Sequence, residues 1–174
     1  MPKAIVDDYV KFMTTPGSHN DTYANSTHRA FFENYHAKKP LDKCPGNDGH
    51  NVDVIDGMDP LPPVILAATA KGVRQGDSAA DIEQAACDAS TTLTKLMRDS
   101  RPVAEVYGPL FASMLHNVIT GAATLREECV RVGRKLRFDV ERSVASGRDP
   151  CVACESVVEP LGKGAYRQGK VGLV

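Results

Sequence analysis

No apolar run in this chain is long enough to span a bilayer. The longest uncharged apolar stretch, residues 61–70, is interrupted by Pro62 and Pro63, whereas a spanning helix needs about 20 apolar residues. The opening residues, MPKAIVDDYVKF, have no continuous apolar segment of the signal-peptide kind. Neither sign of charge dominates: 21 Lys and Arg stand against 22 Asp and Glu, a formal net charge of -1. A general basic face for nucleic acid is therefore not indicated. The five cysteines, at 44, 87, 129, 151 and 154, are odd in number and irregular in spacing. They read as free thiols in a reducing compartment rather than as a disulfide framework. These absences lead us to expect a cytoplasmic protein with no membrane partner and no nucleic-acid partner. Also missing are internal repeats, period-two alternation, a Walker motif, a dinucleotide-binding glycine fingerprint and a nucleophile elbow.

What is present suits one globular helical domain. The chain has 174 residues, 42% hydrophobic and 25% charged, enough to bury a core. A helix is expected over residues 4–14, with Ile5, Tyr9, Phe12 and Met13 on its apolar face. Pro16 and Gly17 stop it, and Asn20 or Asp21 can cap a second helix over residues 22–37, facing inward through Tyr23, Thr27, Phe31 and Tyr35. Pro62 and Pro63 suit the first turn of a helix over residues 64–71 ended by Gly72. Ser78 with Asp81 resembles a capping box for a helix running to about Asp99. Pro102 opens the most regular apolar stripe, residues 103–118, and Gly121 ends it. Thr124 with Glu127 is a capping-box pattern for the next helix. The mixed charges of residues 126–142 read as a solvated face, and a short helix is expected near Val140. His116 is expected to be a satisfied, partly buried histidine. From Gly147 onward the glycine-rich sequence has no periodicity and reads as an irregular tail.

The chemically loaded segment is residues 46–56, GNDGHNVDVID. It holds three carboxylates (Asp48, Asp53 and Asp56), His50, and the amides Asn47 and Asn51, with glycines at 46, 49 and 57. Glycine lets backbone approach a ligand closely, and successive N–H groups beside it can hold an anion. Oxygen-rich loops also suit divalent cations, but the acidic register and closing Glu of an EF-hand are missing. Spacing alone favours the plainer alternative, a turn-rich connection whose Asp and Asn side chains cap their own backbone. His19, Asn20 and Asp21 form a second polar cluster, where a helix N-terminus could attract an anion; a simple N-cap is favoured. Cys151 and Cys154 make a lone CxxC without a second pair and are not assigned to zinc.

The stretch DDYVKFMTTPGSHNDTYANSTHRAFFENY, followed by CPGNDGHNVDVIDGMDPLPPVILA, resembles the ADP-ribosylglycohydrolase family, closest to the branch with J1-crystallin and selenoprotein J. Glu128, Cys129, Val130 and Arg131, and the RDPCVAC stretch at residues 148–154, resemble the same branch more loosely. The GNDGHNVD segment is the specific part. The resemblance implies an all-α, orthogonal helical bundle, here as a partial domain over residues 1–154 with a tail at 155–174. It also implies ADP-ribose as ligand and Mg²⁺ as the family's cofactor, a pair of ions activating water for attack at the ribose. Carried over to this chain, the ligand contacts are Asn47, Gly49, His50 and Asn51, with Asp48, Asp53, His19 and Asp21 as further ligand-binding candidates.

Two departures shape the expectation. Neither the family's early Thr-Asp-Asp-Thr type motif nor its late Gly-Gly-Asp-x-Asp-Thr type motif occurs in the chain. No residue is therefore assigned a catalytic or metal-ligating role, no Mg²⁺ is expected to be bound, and the chain reads as a truncated, catalytically incomplete product with weak ADP-ribose or phosphate binding. The alternatives are an active metal-dependent hydrolase with a metal site rebuilt from Asp21, Asp48, Asp53 and Asp56, and a helical interaction module that self-associates through exposed apolar faces such as residues 103–118.

Overall fold

The computed structural model describes residues 2–20, 24–47, 49 and 53–136. Asp21, Asp48, His50 and Asn51, the CxxC, the short helix expected near Val140 and residues 155–174 lie outside them. The chain divides into two compact units, Met1–Ser113 and Met114–Val174. The described residues are helical, with no strand among them: the protein is an all-α bundle.

In the first unit the helices are α1 (Pro2–Thr14), α2 (Ser26–His36), α3 (Leu61–Gln75) and α4 (Ala79–Met97), followed by a π-helical turn, Val103–Tyr107, that leads into α5 (Gly108–Ile119), whose residues from 114 onward belong to the second unit. Helix α4 is the hub, packing against α3, α1 and the π-helical turn. Its inner face buries Ile82, Ala86, Ala89, Leu93 and Met97, a spacing of three and four residues that forms one stripe. Helix α3 answers with Leu61, Val64, Ile65, Ala68 and Thr69.

Three expectations change here. Gly72 does not end α3 but lies buried within it; the helix runs one turn further to Gly76, whose φ of 73° supplies the left-handed cap. A Cβ on Gly72 would sit 2.6 Å from Ile82 Cγ1, so this glycine sets how closely α3 and α4 approach. The buried face of α1 is Val6 and Val10, while Phe12 is 50% exposed. Helix α2 starts at Ser26, capped by Asn25 rather than by Asn20 or Asp21. Asn25 Oδ1 accepts from the His28 N–H at 2.9 Å.

The π-helical turn follows from Gly108-Pro109 inside the apolar stripe. Proline supplies no N–H to the carbonyl four residues back and its ring crowds that carbonyl; widening the turn relieves both. Side chains of α4 then meet the displaced groups. Thr91 donates to Ala104 O at 3.0 Å, and the Cys87 thiol donates to Pro109 O at 3.3 Å. Val103, Ala104, Leu110 and Ala112 are buried, so this part of the 103–118 stripe is core and not an exposed association face.

In the second unit α6 (Leu125–Lys135) starts at the expected capping box. Thr124 Oγ1 accepts from the Glu127 N–H at 3.3 Å, and Glu127 Oε2 accepts from the Thr124 N–H at 2.8 Å. The solvated-face reading needs a correction at Glu128, which is 3% exposed. Arg131 clamps it, with Nη2 at 2.5 Å from Oε2. Those bonds hold the Glu128 carboxyl below the usual range, opposed by its own burial. His116 is buried, as expected.

Candidate functional site

The loop between α2 and α3 leaves α2 beside Cys44, whose carbonyl accepts from Asn34 Nδ2 at 2.9 Å. Gly46 then passes so close to α2 that a Cβ would come within 2.8 Å of Ala30 Cβ. Beyond it the loop is fixed to three consecutive residues at the end of α4, one loop side chain to each. Asn47 Nδ2 donates to Asp99 O at 3.0 Å. Ser100 Oγ donates to Asp53 Oδ1 at 2.6 Å. Asp56 Oδ1 pairs with Arg98 Nη1 at 2.8 Å.

Each anchor serves a second purpose. Asn47 Oδ1 accepts from the Gly49 N–H at 2.7 Å, closing a local turn at a glycine whose φ is +74°. Ser100 Oγ also accepts from the Val103 N–H at 3.3 Å, capping the helix that Pro102 enters. Asp56 Oδ2 accepts from Asn25 Nδ2 at 2.7 Å. Asn25 thus caps α2 with one end of its amide and holds the loop with the other. Arg98 is 5% exposed and lies over Gly57, where a Cβ would meet its Nε at 3.2 Å; the glycine leaves room for the guanidinium to reach Asp56.

Aromatic and imidazole groups surround this knot. The rings of Tyr9 and His28 are 5.9 Å apart, and those of Tyr9 and Phe32 are 5.8 Å apart. Burial lowers the His28 pKa, the Arg98 charge lowers it further, and Asp56 opposes both. Burial pushes the Tyr9 phenol up to about 12, and its hydroxyl has no hydrogen-bond partner among the described residues. Tyr107 is likewise raised, by burial first and by the Asp53 charge second.

Of the expected ligand residues, the structure brings Asn47, Gly49 and Asp53 together on one braced segment. Asn47 uses both ends of its amide within the protein, and Asp53 commits one oxygen to Ser100. His19 lies elsewhere: exposed, its ring 5.6 Å from that of Phe12 at the end of α1. The partners that hold the loop, namely Asn25, Arg98, Asp99 and Ser100, do not stand out in the sequence reading. The Ser-x-Pro spacing of Ser100 and Pro102 before an apolar stripe was the available signal for one of them.

Of the aspartates in the alternative metal site, Asp53 and Asp56 are among the described residues, and both are engaged by protein donors. Among the described residues no three His, Cys, Asp or Glu side chains converge. Asp56 already faces a guanidinium cation and a side-chain amide, and Asp53 a hydroxyl donor. No described helix is long and apolar enough to cross a membrane. Comparison with family models, with curated proteins and with solved structures finds no match.

Proposed function

We propose that this chain is an ADP-ribosylglycohydrolase-like protein that binds ADP-ribose, or its diphosphate, without hydrolysing the glycosidic bond. The observation that carries this reading is the GNDGHNVD segment, the specific part of the family resemblance, set in a frame pinned on both flanks by the Asn47–Asp99 and Asp53–Ser100 hydrogen bonds. A pinned loop loses less conformational entropy on binding than a free one, which favours recognition of a small anion. In this reading Asn47 and Asp53 shape the loop. The phosphates meet the glycine-flanked backbone and the side chains of His50 and Asn51, while Asp48 can accept only from hydroxyl groups of the ligand.

In this reading these 174 residues do not hydrolyse the bond. Both aspartate motifs that hold the family's ions are missing from these 174 residues, and the carboxylates at Asp53 and Asp56 are already engaged by protein donors. The family's metal pair would supply an activated water, a role for which Asp53 and Asp56, so engaged, are poor ligands.

The test is calorimetric titration of the purified chain with ADP-ribose, with and without Mg²⁺, beside hydrolysis assays on ADP-ribosyl-arginine and ADP-ribosyl-serine peptides. Weak binding that is indifferent to Mg²⁺ and falls in His50→Ala is expected, with no turnover. Metal-dependent turnover would overturn the claim of inactivity, and no binding at millimolar ADP-ribose would overturn the function itself.

A further inference from the structure

The exposed side of α3 is unlike that of a solvated helix. Between Asp59 and Lys71 the chain carries no charge. The outward positions Pro63, Leu66, Ala70 and Val73 fall at spacings of three and four and are all exposed; Leu66 is 47% exposed and Val73 59%. A solvated surface helix normally carries charged or polar residues on that side. Here they are confined to the two ends: Asp59 just before the helix, and Lys71 with Arg74 in its last turns.

This distribution is complementary to itself when one copy is turned end for end. In an antiparallel pair centred between Leu66 and Ala67, Asp59 of one copy falls beside Arg74 of the other, and Pro63 falls opposite Ala70. The Asp59–Arg74 ion pair then forms twice, as a two-fold axis requires. Neither Asp59 nor Arg74 has an ion-pair partner among the described residues. Alanines at 67 and 70 let the two backbones approach. From this we infer that the α3 face is a homodimer interface, with a second copy of this chain as its occupant in antiparallel register.

The size of the stripe sets the strength. A 15-residue helix is about 22 Å long, and a single-helix strip is about 10 Å wide. Two such strips bury well under the roughly 1,200 Å² at which stable interfaces begin. The dimer is accordingly weak, forming at high protein concentration and dissociating on dilution. Asp77, just past the helix, offsets part of the basic end, but Lys71 and Arg74 outnumber it.

Sedimentation equilibrium of the full chain tests this, over a range from roughly 10 µM to 1 mM. The average mass should rise from monomer toward dimer. Leu66→Glu, which sets two carboxylates beside the two-fold axis, should weaken association by about 100-fold. Asp59→Arg and Arg74→Asp should each weaken it by about 10-fold, because each change acts at two symmetric pairs. The double exchange Asp59→Arg with Arg74→Asp should restore it. Leu66 is exposed, so the variant should fold, with unchanged far-ultraviolet circular dichroism as the control. A monomer throughout the range, association indifferent to Leu66→Glu, or a double exchange that fails to restore it would each overturn the inference.

Discussion

The Arg98–Asp56 pair is where the structure makes its sharpest demand. Arg98 has a side-chain exposure of 5% and Asp56 of 36%, with 2.8 Å between Nη1 and Oδ1. Asp56→Asn keeps the shape and an oxygen for Asn25 while removing the negative charge beside a buried guanidinium. Breaking a fully buried pair costs about 3–5 kcal/mol and breaking an exposed one about 0–1 kcal/mol. Asp56 is one-third exposed, and Arg98 makes a further interaction besides this pair, which places the expected loss at about 2 kcal/mol. With no tryptophan and five tyrosines, far-ultraviolet circular dichroism in a urea series is the suitable assay. The midpoint should fall by about 1 M at an unchanged slope. Arg98→Met keeps most of the stem that covers Gly57 while removing the charge. Combined with Asp56→Asn it should lose less stability than the two single changes summed, by about 1 kcal/mol. A loss under about 0.5 kcal/mol for Asp56→Asn, or strict additivity in the cycle, would refute the view that this pair anchors the loop.

His28 provides a pH-dependent check. Its folded pKa lies below the ordinary value of 6.5, so the unfolded chain takes up the proton first. Its contribution is complete above pH 6.5 and is lost as pH falls toward the folded pKa; the stability difference between the wild type and His28→Gln should therefore shrink on acidification, and an unchanged difference would contradict the sign. Tyr9→Phe removes a buried hydroxyl with no partner among the described residues and should stabilise by about 1 kcal/mol in the same urea assay. The gain should grow above pH 10, where the wild-type phenol ionises first in the unfolded chain; destabilisation would indicate a partner for that hydroxyl. Gly72→Ala forces α3 and α4 apart at Ile82 and should cost about 1–3 kcal/mol, despite alanine's better helix propensity; a stabilised variant would show that the contact yields freely.

Helix ends marked by side-chain capping were the most legible features of the sequence. Ser78 and the Thr124–Glu127 box begin α4 and α6 as expected, because a cap is written within a few consecutive residues. Which apolar residues face inward was less legible. In α1, Phe12 outranks Val6 and Val10 in apolar surface, yet the neighbouring helices bury the valines. Gly72 reads locally as a stop, although its role is set by Ile82 on another helix. The loop was conspicuous for its composition, but its fixings lie far along the chain. Asn47 meets Asp99, and Asp53 meets Ser100; pairings at that separation leave no local periodicity to read. Glu128 was misread for a related reason: its charge pattern suits a solvated face, and only tertiary packing shows that it is enclosed.

Ser100 has a consequence for the order of folding. One hydroxyl both caps the helix entered at Pro102, through the Val103 N–H, and secures the loop through Asp53. Release of the loop therefore loosens the first turn of a helix more than forty residues away in sequence, and fraying of that turn loosens the loop. The two should open as one cooperative unit in native-state hydrogen exchange. The Val103 amide then serves as a clock for loop docking: Asp53→Ala should speed its exchange while leaving the amides in the middle of α4 protected.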